Sequence, residues 1–130
     1  IDYNGRTGKK PVKWEYLDVS QRKELHDTYA KLIKFRNDNP ELFNSTATMS
    51  WKVSESDWEK GRFLTLSSFG NAKQVVVIGN FTNDAIVAST TFPKTGTWHN
   101  YMNPSESLDV SSTTMDISLP ANSFKMYTGF

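Results

Sequence analysis

The fold is decided by the stretch Phe92–Tyr101, which is Phe-Pro-Lys-Thr-Gly-Thr-Trp-His-Asn-Tyr. Pro93 and Gly96 favour a tight turn, because proline restricts φ and glycine accepts a positive φ. Trp98 and Tyr101 beyond the turn are typical of a β-strand. The stretch therefore predicts the end of one strand, a turn and the start of the next strand.

The same pattern extends over the rest of the chain after Pro40. Alternating β-branched and aromatic residues recur in short segments, separated by turns rich in Gly, Pro, Asn and Asp. This regular spacing favours an antiparallel sandwich or barrel over a fold with crossover helices. Val75–Ile78 lacks alternation, which predicts a central strand covered on both faces. The eight predicted strands are 48–53, 62–69, 74–80, 85–92, 97–101, 107–110, 114–119 and 123–128.

The residues before Pro40 show a different periodicity. Asp18 or Ser20 can cap a helix, and Asn39-Pro40 ends it, so we expect a helix over 20–38. Its apolar residues recur at helical spacing and form a narrow stripe that needs something to pack against. The stripe consists of Leu25, Tyr29, Leu32 and Ile33. The change of periodicity divides the chain into 1–45, a loop and helix, and 46–130, an all-β domain.

Composition excludes several classes of function. The chain has 130 residues, enough for one domain with a remnant of a neighbour, and a formal net charge of +1. A charge this small gives no source for phosphate binding, so we expect no nucleic-acid partner. No apolar run is long enough for a membrane span, and the absence of cysteine excludes disulfides and thiolate metal sites. The polar start at Ile1, without Met, is expected of an excised fragment or of a mature form, and we favour the fragment.

No catalytic or metal-binding motif stands out. His26 lies within the predicted helix and His99 within a strand, and neither has the spacing of a triad or a zinc site. Glu55, Asp57 and Glu59 form an acidic turn whose solvated charges keep ordinary acidity. Asn37–Asn39 offers oxygens for calcium, but helix termination explains this segment equally well. The predictions are no catalytic residue, no metal ligand and no cofactor in this chain.

Aromatic side chains are the remaining candidates for binding, because sugar rings pack their C–H faces on Trp and Tyr. Trp51, Trp58, Trp98 and Tyr101 are of the right type. Trp98 and Tyr101 are three residues apart and point to opposite faces of a strand, so one of them is expected in the core. Core packing and a sugar platform both remain open for these residues.

Three motifs in order resemble the C-terminal end of an α-amylase of glycoside hydrolase family 13. The helix ends with Leu32-Ile33-Lys34-Phe35-Arg36-Asn37-Asp38-Asn39-Pro40-Glu41-Leu42, which is similar to the end of the family's last barrel helix. Phe92–Trp98 and Leu119–Tyr127 resemble the Greek-key β-domain that follows it. The resemblance implies a mainly β fold, an antiparallel Greek-key sandwich of about eight strands, preceded by a loop and one helix from the end of a (β/α)8 barrel.

The resemblance also implies where the chemistry of such an enzyme lies. The family's three catalytic carboxylates are on barrel strands upstream, so this chain would carry none of them. Asp2 and Arg6 are the nearest matches to an Asp and an Arg that contact glucose in the family. Lys9 or Lys10 stands where an Arg is usual, and lysine lacks the guanidinium fork. Calcium is common in the parent enzymes, again upstream.

These implications define two hypotheses. In the first, the chain is a non-catalytic region that packs on the barrel of an enzyme hydrolysing α-1,4-glucosidic bonds in starch or maltooligosaccharides. In the second, it is a starch-binding β-sandwich module. The candidate substrate-binding residues are Asp2, Arg6, Trp58, Trp98 and Tyr101. The expected partners are the chain's own barrel and an α-glucan, and a secreted, periplasmic or cell-surface location is favoured over a cytoplasmic one.

Overall fold

A computed structural model describes residues 11–52 and 62–130. Its contacts divide the chain into two compact units, of which the first ends at Asn37 and the second spans Asp38–Phe130. Asn39 and Leu42 are both buried, and both belong to the second unit.

The first unit is helical in its described part. A short 3-10 helix covers Trp14–Asp18, and the helix α1 covers Ser20–Asp38, as predicted. The carbonyl of Val19 accepts the first helical hydrogen bonds, from the N–H groups of Arg22 and Lys23. Phe35 is the buried side chain of α1. None of the helices in the described residues is both long and apolar enough to cross a membrane.

The second unit contains eight antiparallel strands, which confirms the predicted mainly β fold. A single 3-10 turn, Pro40–Leu42, precedes the first strand. The strands are β1 (Thr48–Lys52), β2 (Arg62–Ser67), β3 (Gln74–Asn80), β4 (Ile86–Thr91), β5 (Gly96–Asn100), β6 (Ser107–Val110), β7 (Thr114–Leu119) and β8 (Ser123–Thr128).

The strands form two sheets in which several neighbours are distant in sequence. The larger sheet has the order β1-β2-β3-β8-β5-β6, and β4 pairs with β7 in the smaller one. Val76 lies opposite Tyr127 across the β3–β8 pair, and Ala88 lies opposite Ile117 across the β4–β7 pair. β1 and β6 are the edges of the larger sheet as described.

One hydrophobic core takes side chains from both sheets. Its members come from β3 to β8 and from Phe92 in the turn before β5. They are Val76, Ile78, Ala88, Phe92, Trp98, Val110, Ile117, Leu119 and Tyr127. Val75 is fully buried as well, and alternation places it on the other face of β3. The prediction that Val75–Ile78 is a central strand is confirmed, since β3 lies between β2 and β8, whereas its second face is covered only in part because Val77 is half-buried.

One strand end differs from the prediction. The sequence extends the second strand to 69, but β2 ends at Ser67 and Phe69–Asn71 forms a 3-10 turn. Gly70 has a φ of 68° and Asn71 a φ of 59°, both in the left-handed region that an extended strand does not use. Phe69 lies in this turn and is exposed to solvent, although phenylalanine is a residue typical of β-strands.

Candidate functional site

Three of the predicted substrate-binding residues lie outside the described part of the chain. They are Asp2, Arg6 and Trp58. The predicted acidic turn at Glu55, Asp57 and Glu59 lies outside it as well. The site therefore has to be built from Trp98, Tyr101 and the surfaces around the eight strands.

Trp98 lies in the centre of the core with none of its surface exposed. Its ring meets that of Phe92 edge to face, with 5.2 Å between the centroids, a favourable aromatic geometry. The indole Nε1–H donates a hydrogen bond of 3.2 Å to the carbonyl of Lys94. A Cβ on Gly129 would lie 3.0 Å from the indole, so only glycine fits beside it without a shift. These contacts support the packing interpretation of Trp98 over a sugar contact.

Tyr101 follows the last residue of β5 and is half-buried. Its backbone N–H donates to the carbonyl of Met126 at 2.8 Å, which continues the pairing of β5 with β8 by one residue. Trp98 and Tyr101 therefore do not form a joint aromatic platform, since the indole of Trp98 presents no surface to a ligand.

The turn before β5 has the conformation that its sequence predicts. Gly96 has a φ of 119°, which residues with a side chain rarely adopt. Beyond it, the hydroxyl of Thr97 donates to the Asp109 carboxylate of β6 at 2.8 Å. The stretch Phe92–Tyr101 is thus a structural element that contributes two rings to the core.

The Glu106 carboxylate accepts three side-chain hydrogen bonds. Lys125 Nζ and the Tyr127 hydroxyl donate to its Oε1 at 2.7 and 3.1 Å, and Asn100 Nδ2 donates to its Oε2 at 3.0 Å. The Lys125 ammonium holds the pKa of Glu106 below its usual value. Burial and the charge of Glu106 raise the pKa of Tyr127 well above its usual value. These hydrogen bonds stabilise the charged carboxylate and connect the turn before β6 to β5 and β8.

A second polar cluster joins the 3-10 turn after α1 to the start of β3. Lys73 Nζ donates to the Asn39 side chain at 2.7 Å, forms an ion pair with Glu41 and lies 5.0 Å from the centroid of the Phe130 ring. Lys73 holds the pKa of Glu41 below its usual value. All these residues belong to the second unit, and their contacts explain why that unit begins at the end of α1.

The histidines show no sign of catalytic or metal-binding geometry. His26 Nδ1 lies 3.1 Å from Asp27 Oδ1, but the pair is exposed on α1. His99 is an exposed residue of β5. Within residues 11–52 and 62–130 there is no group of three His, Asp or Glu side chains that could hold a metal ion.

A cleft that the sequence interpretation missed opens beside the edge strand β1. It has a volume of about 230 Å³ and takes its walls from β1, β2, β4 and the start of the turn before β5. Its lining residues are Ser50, Trp51, Lys52, Phe63, Thr65, Ser89, Thr91 and Pro93. Strands β1 and β2 are separated in sequence and β4 belongs to the other sheet, so no local pattern could reveal the cleft.

The register explains which side chains share the wall on β1 and β2. Ser50 lies opposite Thr65 and Lys52 lies opposite Phe63, so all four stand on one face of the sheet. Trp51 lies between them on β1 and is 70% exposed.

A scan against models of protein families found no match, and neither did a search of curated proteins.

Proposed function

We propose that this chain is the non-catalytic C-terminal region of an α-amylase-type glycoside hydrolase, and that it packs on and stabilises the catalytic barrel. In this proposal α1 is the last helix of the barrel and the second unit is the β-domain behind it. The parent enzyme hydrolyses α-1,4-glucosidic bonds in starch or maltooligosaccharides with retention, through two carboxylates and a covalent intermediate.

The exposed apolar face of α1 is the observation that carries the proposal. Leu25, Tyr29 and Ile33 are four residues apart and share one side of the helix. Their exposed fractions are 60%, 61% and 57%, although the pattern is that of a buried stripe. An apolar helix face of this kind is typical of a helix that packs against a further part of the protein.

The polar contacts after the helix support the same proposal. Asn39 and Leu42 are buried in the second unit, and Lys73 binds both Asn39 and Glu41. The residues that directly follow α1 are therefore built into the β-domain. A helix whose C-terminal end is fixed to the β-domain is suited to connect that domain to a preceding barrel.

We extend the proposal to the topology of the β-domain, as a Greek-key sandwich. Two observations support it. One core takes side chains from both sheets, and strands far apart in sequence are paired, β3 with β8 and β4 with β7. Such pairings require connections that pass from one sheet to the other, as Greek-key sandwiches have.

The coding sequence upstream of Ile1 tests the proposal. We expect it to encode a (β/α)8 barrel with an aspartate nucleophile, a glutamate acid and a second aspartate. The isolated chain should release no reducing sugar from starch, whereas the extended protein should do so. An upstream sequence without such a barrel, or starch hydrolysis by the isolated chain, would contradict the proposal.

The alternative function, a starch-binding module, loses Trp98 as a sugar-binding residue. Trp98 is enclosed by the core, and Trp58 and the contacts of Asp2 and Arg6 lie outside the described residues. Sugar binding by this chain therefore needs a different surface, and the cleft beside β1 is a candidate on separate evidence.

A further inference from the structure

We propose that the cleft beside β1 is a binding site for one pyranose ring of a neutral glycan. The inference rests on the walls of the cleft, and it does not depend on the packing of α1 or on the presence of a barrel. The cleft lies entirely within the second unit, between β1 and β2 of the larger sheet and β4 of the smaller one.

The size of the cleft suits a single sugar ring. Clefts that enclose drug-sized ligands have volumes of about 300–1,000 Å³. This cleft, with about 230 Å³, is smaller and lies open beside an edge strand. A longer glycan could thus place one ring in the cleft and continue into solvent on either side.

Apolar rings form part of the wall. Phe63 is half-buried and packs against the core, so its ring is held in place. Pro93 adds a second rigid apolar surface at the start of the turn before β5. The C–H faces of a pyranose pack on such surfaces, and the fixed positions reduce the entropy that binding costs.

Four hydroxyl side chains complete the wall and have no other partner in the described chain. Ser50 and Thr65 come from the larger sheet, and Ser89 and Thr91 from β4. Among residues 11–52 and 62–130, none of the four side-chain hydroxyls forms a hydrogen bond to protein, so all four are available. A hydroxyl both donates and accepts, which matches the hydroxyls of a sugar.

The wall carries a single charge, so charge contributes little to binding and a neutral ligand is compatible with the cleft. Lys52 is the charged residue among the lining residues, and it is exposed at the edge of the sheet. A single hydrated ammonium gives weak attraction in water, because screening and high dielectric reduce its field. The lining contains no carboxylate, so a cationic ligand has no counter-charge.

Titration of the full chain with maltoheptaose, followed by backbone amide NMR, tests the inference. We expect saturable shifts at Ser50, Lys52, Thr65 and Ser89, with a Kd of about 1–10 mM, as befits one ring and a few hydrogen bonds. No saturable shift up to 50 mM sugar, or shifts confined to other surfaces, would overturn it. Tighter binding of a sulfated glycan than of maltoheptaose would overturn the assignment of a neutral ligand.

A double variant, Ser50→Ala with Ser89→Ala, removes one hydroxyl from each wall at exposed positions. We expect at least about tenfold weaker binding, because two hydrogen bonds are lost. The matched control is Ser107→Ala with Ser118→Ala, which removes two exposed strand hydroxyls outside the cleft and should leave the Kd unchanged. Equal affinity of the two double variants would contradict the site.

Discussion

At the scale of single residues, Trp98 shows how the central turn organises the core. Its ring contacts the ring of Phe92, and its Nε1–H donates a hydrogen bond to the carbonyl of Lys94 in the turn. Gly129 lies against the indole, where a side chain would not fit without a shift. Phe92 also meets Tyr127 edge to face at 5.8 Å. The stretch that predicts the strand boundary thus supplies the largest side chains around which both sheets pack.

Replacing Trp98 with Ala should destabilise the chain strongly. The variant removes the largest buried ring and leaves a cavity, for which we expect a loss of about 3–5 kcal/mol in the free energy of unfolding. Urea denaturation followed by circular dichroism measures it. The control Trp51→Ala removes a ring with 70% exposure, and its effect should be within about 0.5 kcal/mol. Similar losses in the two variants would contradict the assignment of Trp98 to the core.

Glu106, in the turn before β6, joins two strands through its hydrogen bonds to Asn100 of β5 and to Lys125 and Tyr127 of β8. The ammonium of Lys125 lowers the folded-state pKa of Glu106 below the unfolded value. Such a group adds stability above its unfolded pKa, and this stability is lost as the pH falls through the folded pKa. The network should therefore favour the folded state at neutral pH and lose its effect in acid.

The variant Glu106→Gln isolates this contribution. At pH 7 we expect a melting temperature lower by about 4 °C, equivalent to about 1 kcal/mol, since the pair is partly exposed and screened. The difference from the unmodified chain should shrink as the pH falls below about 4.3, the ordinary value for Glu. Thermal melts at a series of pH values measure it. A difference that stays constant down to pH 2 would show that the charge of Glu106 is irrelevant.

At the scale of elements, local patterns predict the helix and the strands. The predicted helix 20–38 coincides with α1, and the described strand ends agree with prediction to within two residues. Helical spacing and strand alternation are properties of a few neighbouring residues, so the sequence displays them directly. The predicted end of β2 lies two residues beyond the observed one. Phe69 belongs to a 3-10 turn with positive φ at Gly70 and Asn71, and strand alternation does not reveal where such a turn begins.

The apolar stripe of α1 is largely exposed in this chain. Leu25, Tyr29 and Ile33 face solvent, Leu32 is half-buried, and Phe35 on the same helix is buried. An exposed stripe contributes little to the stability of the chain itself, because its surface stays in water. In our proposal this stripe packs against the catalytic barrel.

Replacing the stripe with charged residues should therefore cost the isolated chain little. For Leu25→Lys with Ile33→Lys we expect less than about 1 kcal/mol of change in the free energy of unfolding, and weaker binding of an apolar dye such as ANS. The control Phe35→Ala removes a buried ring and should cost about 3–5 kcal/mol. Destabilisation of the double variant to the same extent as Phe35→Ala would contradict the exposure of the stripe.

At the scale of the whole molecule, the arrangement of the strands goes beyond what local patterns predict. β3 pairs with β8 and β4 pairs with β7 across long stretches of chain, and the sequence gives no local signal for either pairing. The cleft depends on these pairings, since Ser50 and Ser89 belong to different sheets. Exposed hydroxyls such as those of Ser50 and Ser89 have no sequence pattern that marks them as candidates, whereas aromatic residues such as Trp98 do.

The two proposals assign different parts of the molecule to different tasks. The face of α1 would pack against a catalytic barrel, and the cleft beside β1 would hold a sugar ring of a glycan. The surfaces lie in different units of the chain. Each can thus be altered without removing the other.

The central claim is that the apolar face of α1 becomes covered in the intact protein. The chain contains no cysteine, so Leu25→Cys introduces a single thiol whose labelling rate reports exposure. The control Val87→Cys places a thiol at an exposed position on β4. Peptide-resolved maleimide labelling compares the isolated chain with the protein extended by its upstream sequence. We predict labelling at position 25 to slow at least about tenfold on extension, with no change at position 87. Equal rates at position 25 in both proteins would contradict the account.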